Sequence, residues 1–226
     1  MYLVVDNVLT GDPLARAQAL LADAPWADGR VTAGYQSAAV KRNEQLPERH
    51  SVTRQLQDIV DPALRASLLF QSAALPRHIF PPLFNRYATG HDFGTHIDNA
   101  IRQTPDGLAL RTDLSATLFL SDPESYAGGE LEVEDGSAAQ RFKLAAGSML
   151  LYPASTLHRV TPVTRGVRLA CFFWVQSLVA DAARRTILFD IDLAIQSLRP
   201  RVGDQDPALV ALTGAYHNLL RQWAQP

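Results

Sequence analysis

The chain carries one cysteine, Cys171, in 226 residues. A lone thiol closes no internal disulfide and builds no cysteine metal site, which fits a reducing compartment. Basic charge is in no surplus: 21 Lys+Arg against 23 Asp+Glu leave a formal charge of −2 at pH 7. Capture of a phosphate backbone by bulk charge is therefore disfavoured, and nucleic acid with it. No apolar run approaches the ~20 residues of a membrane helix. The start, Met1-Tyr2-Leu3-Val4-Val5-Asp6, has no basic n-region and too short an apolar run for a signal peptide. These absences predict a cytoplasmic protein without a membrane or nucleic-acid partner. What is present is a core: 47% hydrophobic against 19% charged residues is a globular profile. The length favours one domain with appendages over two equal domains.

Three regions differ in pattern. Residues 1–77 read as a mixed α/β segment packing on the core. Asp12-Pro13 looks like a cap and first-turn proline ahead of Leu14, Ala17, Leu20 and Leu21, and Asp61-Pro62 repeats the device ahead of Leu64, Leu68 and Leu69. Between them, 29–40 reads as a short strand. Over 78–178, short runs rich in Val, Leu, Phe and Thr are cut by turn residues, which predicts a mainly β jelly-roll core. The runs include 115–120, 129–134, 147–152 and 167–175. Leu131 and Val133 alternate with Glu130, Glu132 and Glu134, the pattern of a half-buried strand with an acidic outer face. Residues 179–226 form a helical appendage: one helix over 182–198, and a second opened by Asp206-Pro207. Leu209, Leu212, Tyr216, Leu219, Leu220 and Trp223 make one stripe on the second, for packing on the β domain or on the second subunit of a homodimer.

The chemistry starts at His96-Ile97-Asp98. Residues two apart on a strand share a face, so imidazole and carboxylate project together. Chance alone gives about half a His-x-Asp in a chain of this composition, so the motif needs company. His158 supplies it, 62 residues on, after a run that reads as strand and turn. Two histidines and a carboxylate occupy one face of an octahedral metal and leave the other open, the ligand set of non-haem Fe(II) oxygenases, with zinc as the competitor for the same donors. Arg168 is the third feature. Alternation puts it with Ala170, Phe172 and Trp174, while Leu169, Cys171, Phe173 and Val175 take the other face. Both faces are apolar, so the guanidinium points into a covered interior and needs an anion, from a distant side chain or from a ligand carboxylate.

On these residues the chain resembles the prolyl 4-hydroxylase-like branch of the Fe(II)/2-oxoglutarate dioxygenases, and within it the bacterial PKHD-type hydroxylases. The resemblance is carried by Phe84 to Gly90, His96 to Ala100, Leu118 to Ser121, Gly128 to Leu131, Gly147-Ser148, Tyr152-Pro153 and His158 to Val160, and it extends over the whole chain. It implies a double-stranded β-helix core, His96, Asp98 and His158 as iron ligands, and Arg168 gripping the distal carboxylate of 2-oxoglutarate. Tyr87 matches a tyrosine that lines the cosubstrate pocket. Phe119 falls where some relatives place a further tyrosine hydroxyl. Fe(II), 2-oxoglutarate, O2 and ascorbate are the implied cofactors, and a peptidyl residue or a small molecule is the implied substrate. Two other readings compete. A cupin-like metal protein with non-oxidative chemistry leaves Arg168 without a task, and a non-catalytic jelly-roll binding module leaves the triad as coincidence.

Overall fold

The computed structural model describes residues 2–32, 34–136 and 138–226. Two antiparallel sheets face each other across a cleft. The larger runs Leu3–Val5, Met149–Pro153, Leu114–Phe119, Val167–Ser177, Leu83–Ala88, Glu44–Gln45, Ala27–Asp28, and Pro76–Ile79 pairs with the far end of Val167–Ser177. The smaller runs Ala138–Phe142, Leu131–Asp135, His158–Val160, Asp92–His96, Lys41–Arg42. This is the expected double-stranded β-helix.

The period-2 pattern of the long strand decides the layering. Cys171, Phe173 and Val175 share a buried cluster with Leu56, Val60, Leu64 and Phe70 from the helices Ser51–Ala66 and Leu68–Ala74. Phe172, Trp174 and Arg168 line the cleft on the opposite face. A second cluster, including Tyr87, Phe119, Leu131, Leu150 and Tyr152, fills the space between the sheets. Cys171 is a fully buried packing residue.

Several local expectations need correction. The first helix spans Gly11–Ala22 with Thr10 at its cap, so Asp12 and Pro13 lie in its first turn. No helix opens at Asp61-Pro62. Ser51–Ala66 runs straight through Pro62 and is capped by His50, and Ser67 caps Leu68–Ala74. The buried stripe Leu56, Val60 and Leu64 crosses the proline. Burying those side chains, at roughly 1.5–3 kcal/mol each, outweighs the ~3 kcal/mol of an interior proline. The strand expected over 29–40 is instead a 3-10 turn, Gly29–Thr32, and a short helix, Tyr35–Ala39, with Ala33 outside the described residues. Strand pairing ends at Asp28 opposite Glu44, and the chain turns at Gly29, where a Cβ would stand 1.9 Å from Asn43 Oδ1.

The acidic face of Leu131–Asp135 is only partly exposed. Glu132 is buried, 4% exposed, between Arg141 and Arg159, its register partners on the two flanking strands, at 2.6 and 2.5 Å. Two cross-strand arginines cover and neutralise it. In the appendage the first helix runs Ala182–Val202, beyond the expected end. The second, Pro207–Trp223, starts as the sequence indicates, with Asp206 accepting from the Ala208 and Leu209 amides. Tyr216, Leu219, Leu220 and Trp223 pack on Leu75, Val179 and Leu188 of the same chain. These four residues of the stripe are thus covered within the chain. No described helix is long and apolar enough to cross a membrane.

Candidate metal centre

Register brings the triad together. His158 is the direct cross-strand partner of His96 in the smaller sheet, with ring centroids 4.2 Å apart. Asp98 lies two residues past the end of its strand, so strand alternation is not what aims it. Its carboxylate is held from the other sheet, where Ser115 Oγ donates to Oδ2 at 2.5 Å. His158 Nε2 stands 3.8 Å from Asp98 Oδ2, and one donor atom from each of His96, Asp98 and His158 lies within 4.8 Å of the others. Both imidazoles are buried.

Each ring is oriented the same way. Nδ1 of His96 meets the Gly94 carbonyl at 2.8 Å, and Nδ1 of His158 meets the Thr156 carbonyl at 3.0 Å. A carbonyl accepts only, so the proton sits on Nδ1 and the Nε2 lone pair faces the cluster. Phe93 stacks on His96 at 3.6 Å, and Tyr152 meets His158 edge-on at 5.2 Å. Burial, and after it the neighbouring His158, pull the pKa of His96 down to about 4. The cluster therefore offers two imidazole nitrogens and a carboxylate oxygen, a donor set that suits ferrous iron with positions left open.

The closed end of the cleft is built around Arg168, which is 1% exposed. Its guanidinium lies 5.2 Å from the ring centre of Tyr87, its register partner, and 5.1 Å from that of Phe119. Its Nε is buried without a hydrogen-bond partner, as is the hydroxyl of neighbouring Tyr126. Among the described residues no carboxylate forms an ion pair with it. Gly129, at φ +68°, makes room: a Cβ there would stand 3.2 Å from Arg168 Cδ. A buried cation beside orphaned polar atoms is a cradle for an anionic ligand. Tyr87 is likewise buried, and burial pushes its hydroxyl up to about 12.

The cleft is open at the other end and measures about 750 Å³, mouth included. Its lining adds residues that sequence reasoning did not reach: Ser115, Thr117, Tyr152, Lys41 and Arg102. Ser115 and Thr117 alternate inward on a strand whose pattern was visible, so period-2 logic could have found them. Lys41 and Arg102 sit on two- and three-residue strands, Lys41–Arg42 and Ile101–Gln103, too short for any periodic signal. The remaining histidines stay outside the metal cluster: His91 Nδ1 accepts from the Ala88 amide and His50 from the Val52 amide. Asp192 accepts from Ser72 and Gln196 instead of pairing with Asp190.

Comparison with known proteins agrees with this geometry. Residues 82–176 match the 2OG-Fe(II) oxygenase superfamily, and residues 181–225 match the PKHD-type hydroxylase C-terminal domain. A prolyl-4-hydroxylase of Pseudomonas putida shares the fold: TM-score 0.53 at 18% identity, covering 78% of this chain and 92% of that one. Fold, donor set and superfamily match together define an enzyme that uses Fe(II) and 2-oxoglutarate, a dioxygenase. Over 226 residues, the full length of both chains, the sequence is 58% identical to a PKHD-type hydroxylase of Saccharophagus degradans and 55% identical to one of a Caulobacter species. The chain belongs to the PKHD-type hydroxylase family.

Proposed function

We propose that His96, Asp98 and His158 hold the iron, that Arg168 holds the distal carboxylate of 2-oxoglutarate, and that the enzyme uses O2 to hydroxylate a peptidyl residue or small molecule with release of succinate and CO2. One observation carries the assignment. A fully buried guanidinium with an unpartnered Nε lies in the same cleft whose wall presents two imidazole nitrogens and a carboxylate. Non-oxidative metal chemistry gives that arginine nothing to do, and simple binding leaves the triad as coincidence.

The bound iron supplies the redox chemistry that couples decarboxylation of the oxo acid to hydroxylation. The chain supplies position. Arg168 offers a planar fork to a carboxylate, which selects a five-carbon diacid of the right reach and fixes its orientation. Phe119 and Tyr87 cover the guanidinium and keep water from it, which strengthens the ion pair. The Gly94 and Thr156 carbonyls fix the orientation of both imidazoles, and Ser115 holds Asp98. Ascorbate as a reductant that keeps the iron ferrous, and a cytoplasmic location, complete the reading. The location is supported by the single buried thiol.

The test is anaerobic addition of Fe(II) and 2-oxoglutarate to the full chain. A visible charge-transfer band is expected, and it should vanish in His96→Ala, Asp98→Ala and His158→Ala variants that keep their circular dichroism. A wild-type protein without the band, or variants that retain it, would overturn the assignment.

A further inference from the structure

The end of the cleft away from Arg168 holds two more cations. Arg102 lays its guanidinium over the Trp174 ring at 4.1 Å and faces Phe80 at 5.2 Å. Its Nε is buried without a hydrogen-bond partner, and among the described residues no carboxylate lies within ion-pair distance of it. Glu48 and Asp98 attract it only from longer range. Lys41, 5% exposed, has its ammonium 5.3 Å from the Phe93 ring centre and 5.9 Å from that of Phe172, and it donates to Gln45 Oε1 at 3.1 Å. Both side chains line the same cleft as the triad. They are close enough that the charge of Arg102, after burial, helps pull Lys41 down to about 8.

The cosubstrate does not account for this pair. Trp174 lies six residues beyond Arg168 on one strand face, about 20 Å along the strand. A five-carbon diacid held at Arg168 by one end and at the triad by the other has no carboxylate left for Arg102. Charge gives the same answer. The charges of a ferrous ion, Asp98, the dicarboxylate and Arg168 sum to zero, so that set supplies no counter-ion to Arg102. The Arg102 guanidinium lies over the indole with its Nε unpartnered, and a planar N–H fork of this kind makes paired bonds to an oxyanion.

We propose that Arg102, supported by Lys41, binds an oxyanion, carboxylate or phosphoryl, on the molecule to be hydroxylated, with the aromatic walls of Phe172 and Trp174 receiving the apolar part next to it. This deepens the oxygenase reading and rests on it: Arg168 selects the cosubstrate, and Arg102 selects the substrate by charge. The group to be oxidised then lies between the oxyanion at Arg102 and the triad, because Ser115, which holds Asp98, is the register partner of Trp174.

The experiment uses full-length protein loaded with Mn(II) and saturating 2-oxoglutarate, with binding read by calorimetry and tryptophan fluorescence. The probes are 3-phenylpropionate, 3-phenylpropyl phosphate and the neutral 3-phenylpropionamide. At least one acid should bind roughly ten- to a hundredfold more tightly than the amide, the range of a charge-assisted hydrogen-bonded pair. Which acid does so identifies the oxyanion. Arg102→Gln should erase the preference and Arg102→Lys should restore part of it. Both variants should keep the anaerobic Fe(II)/2-oxoglutarate band, which shows that they are folded and cosubstrate-competent. Acids that bind no better than the amide, acids that displace 2-oxoglutarate, or an Arg102→Gln variant that loses the band while the wild type shows it would overturn the proposal. A wild type that shows no band would instead overturn the oxygenase assignment beneath it.

Discussion

Arg168→Met separates what the arginine does for the reaction from what it costs the fold. The guanidinium is 1% exposed and has an unpartnered Nε. Removing such a charge from water costs several kcal/mol even after relaxation. The two aromatic faces at 5.2 and 5.1 Å return about 0.5–2 kcal/mol each. Methionine has a similar reach, no charge and a flexible thioether that fills irregular space. Replacing an unsatisfied buried ion by an apolar side chain of similar size should therefore stabilise the 2-oxoglutarate-free protein by about 1–4 kcal/mol. In a chain of this size each kcal/mol raises Tm by about 2–4 °C. The ligand reverses the order. With 2-oxoglutarate at a hundred times its Kd, wild type gains about 2.7 kcal/mol by mass action, and a variant that does not bind gains nothing. Thermal unfolding of Mn(II)-loaded protein with and without 2-oxoglutarate reads both effects. A variant less stable than wild type without ligand would show that Arg168 is a structural residue. A variant stabilised by 2-oxoglutarate as much as wild type would show that the carboxylate is held elsewhere.

Two further outcomes follow from contacts around the cleft. Ser115→Ala removes the hydroxyl that donates to Asp98 Oδ2 at 2.5 Å, and loss of such an orienting bond should weaken metal binding about 10- to 100-fold. Mn(II) titration measures it, and unchanged affinity refutes the orienting role. Lys41 predicts a pH dependence. It titrates at about 8 in the folded chain, against an ordinary value of 10.5. Below 8 both states carry the proton and stability is flat. Between 8 and 10.5 the unfolded chain holds more protons, so stability rises with pH by about 3 kcal/mol in total. Urea unfolding at pH 7.5 and 10.5 should show wild type gaining that amount on Lys41→Met, and parallel pH profiles would refute it.

Short-range chemistry was legible in the sequence because it acts over a few residues. Alternation along Val167–Ser177 places Arg168 with Phe172 and Trp174 on one face and Cys171, Phe173 and Val175 on the other, and the structure keeps that division. Asp206-Pro207 reads as a helix start, and its carboxylate caps the helix. His96, Asp98 and His158 could be singled out as chemically able to share a metal, and the family motif joined them to Arg168. Pairing across long stretches of chain decided the rest. That His158 lies opposite His96, that Glu132 lies covered between Arg141 and Arg159, and that a helix runs through Pro62 all depend on which surfaces meet. Burial against a distant strand outweighs a local preference in each of the last two. The cations at the open end of the cleft are the extreme case. Lys41 and Arg102 come from strands of two and three residues, too short to carry a pattern of their own, and only the tertiary meeting of the smaller sheet and of the separate hairpin Ile101–Gln103/Ala109–Arg111 with the larger sheet sets them beside Phe172 and Trp174.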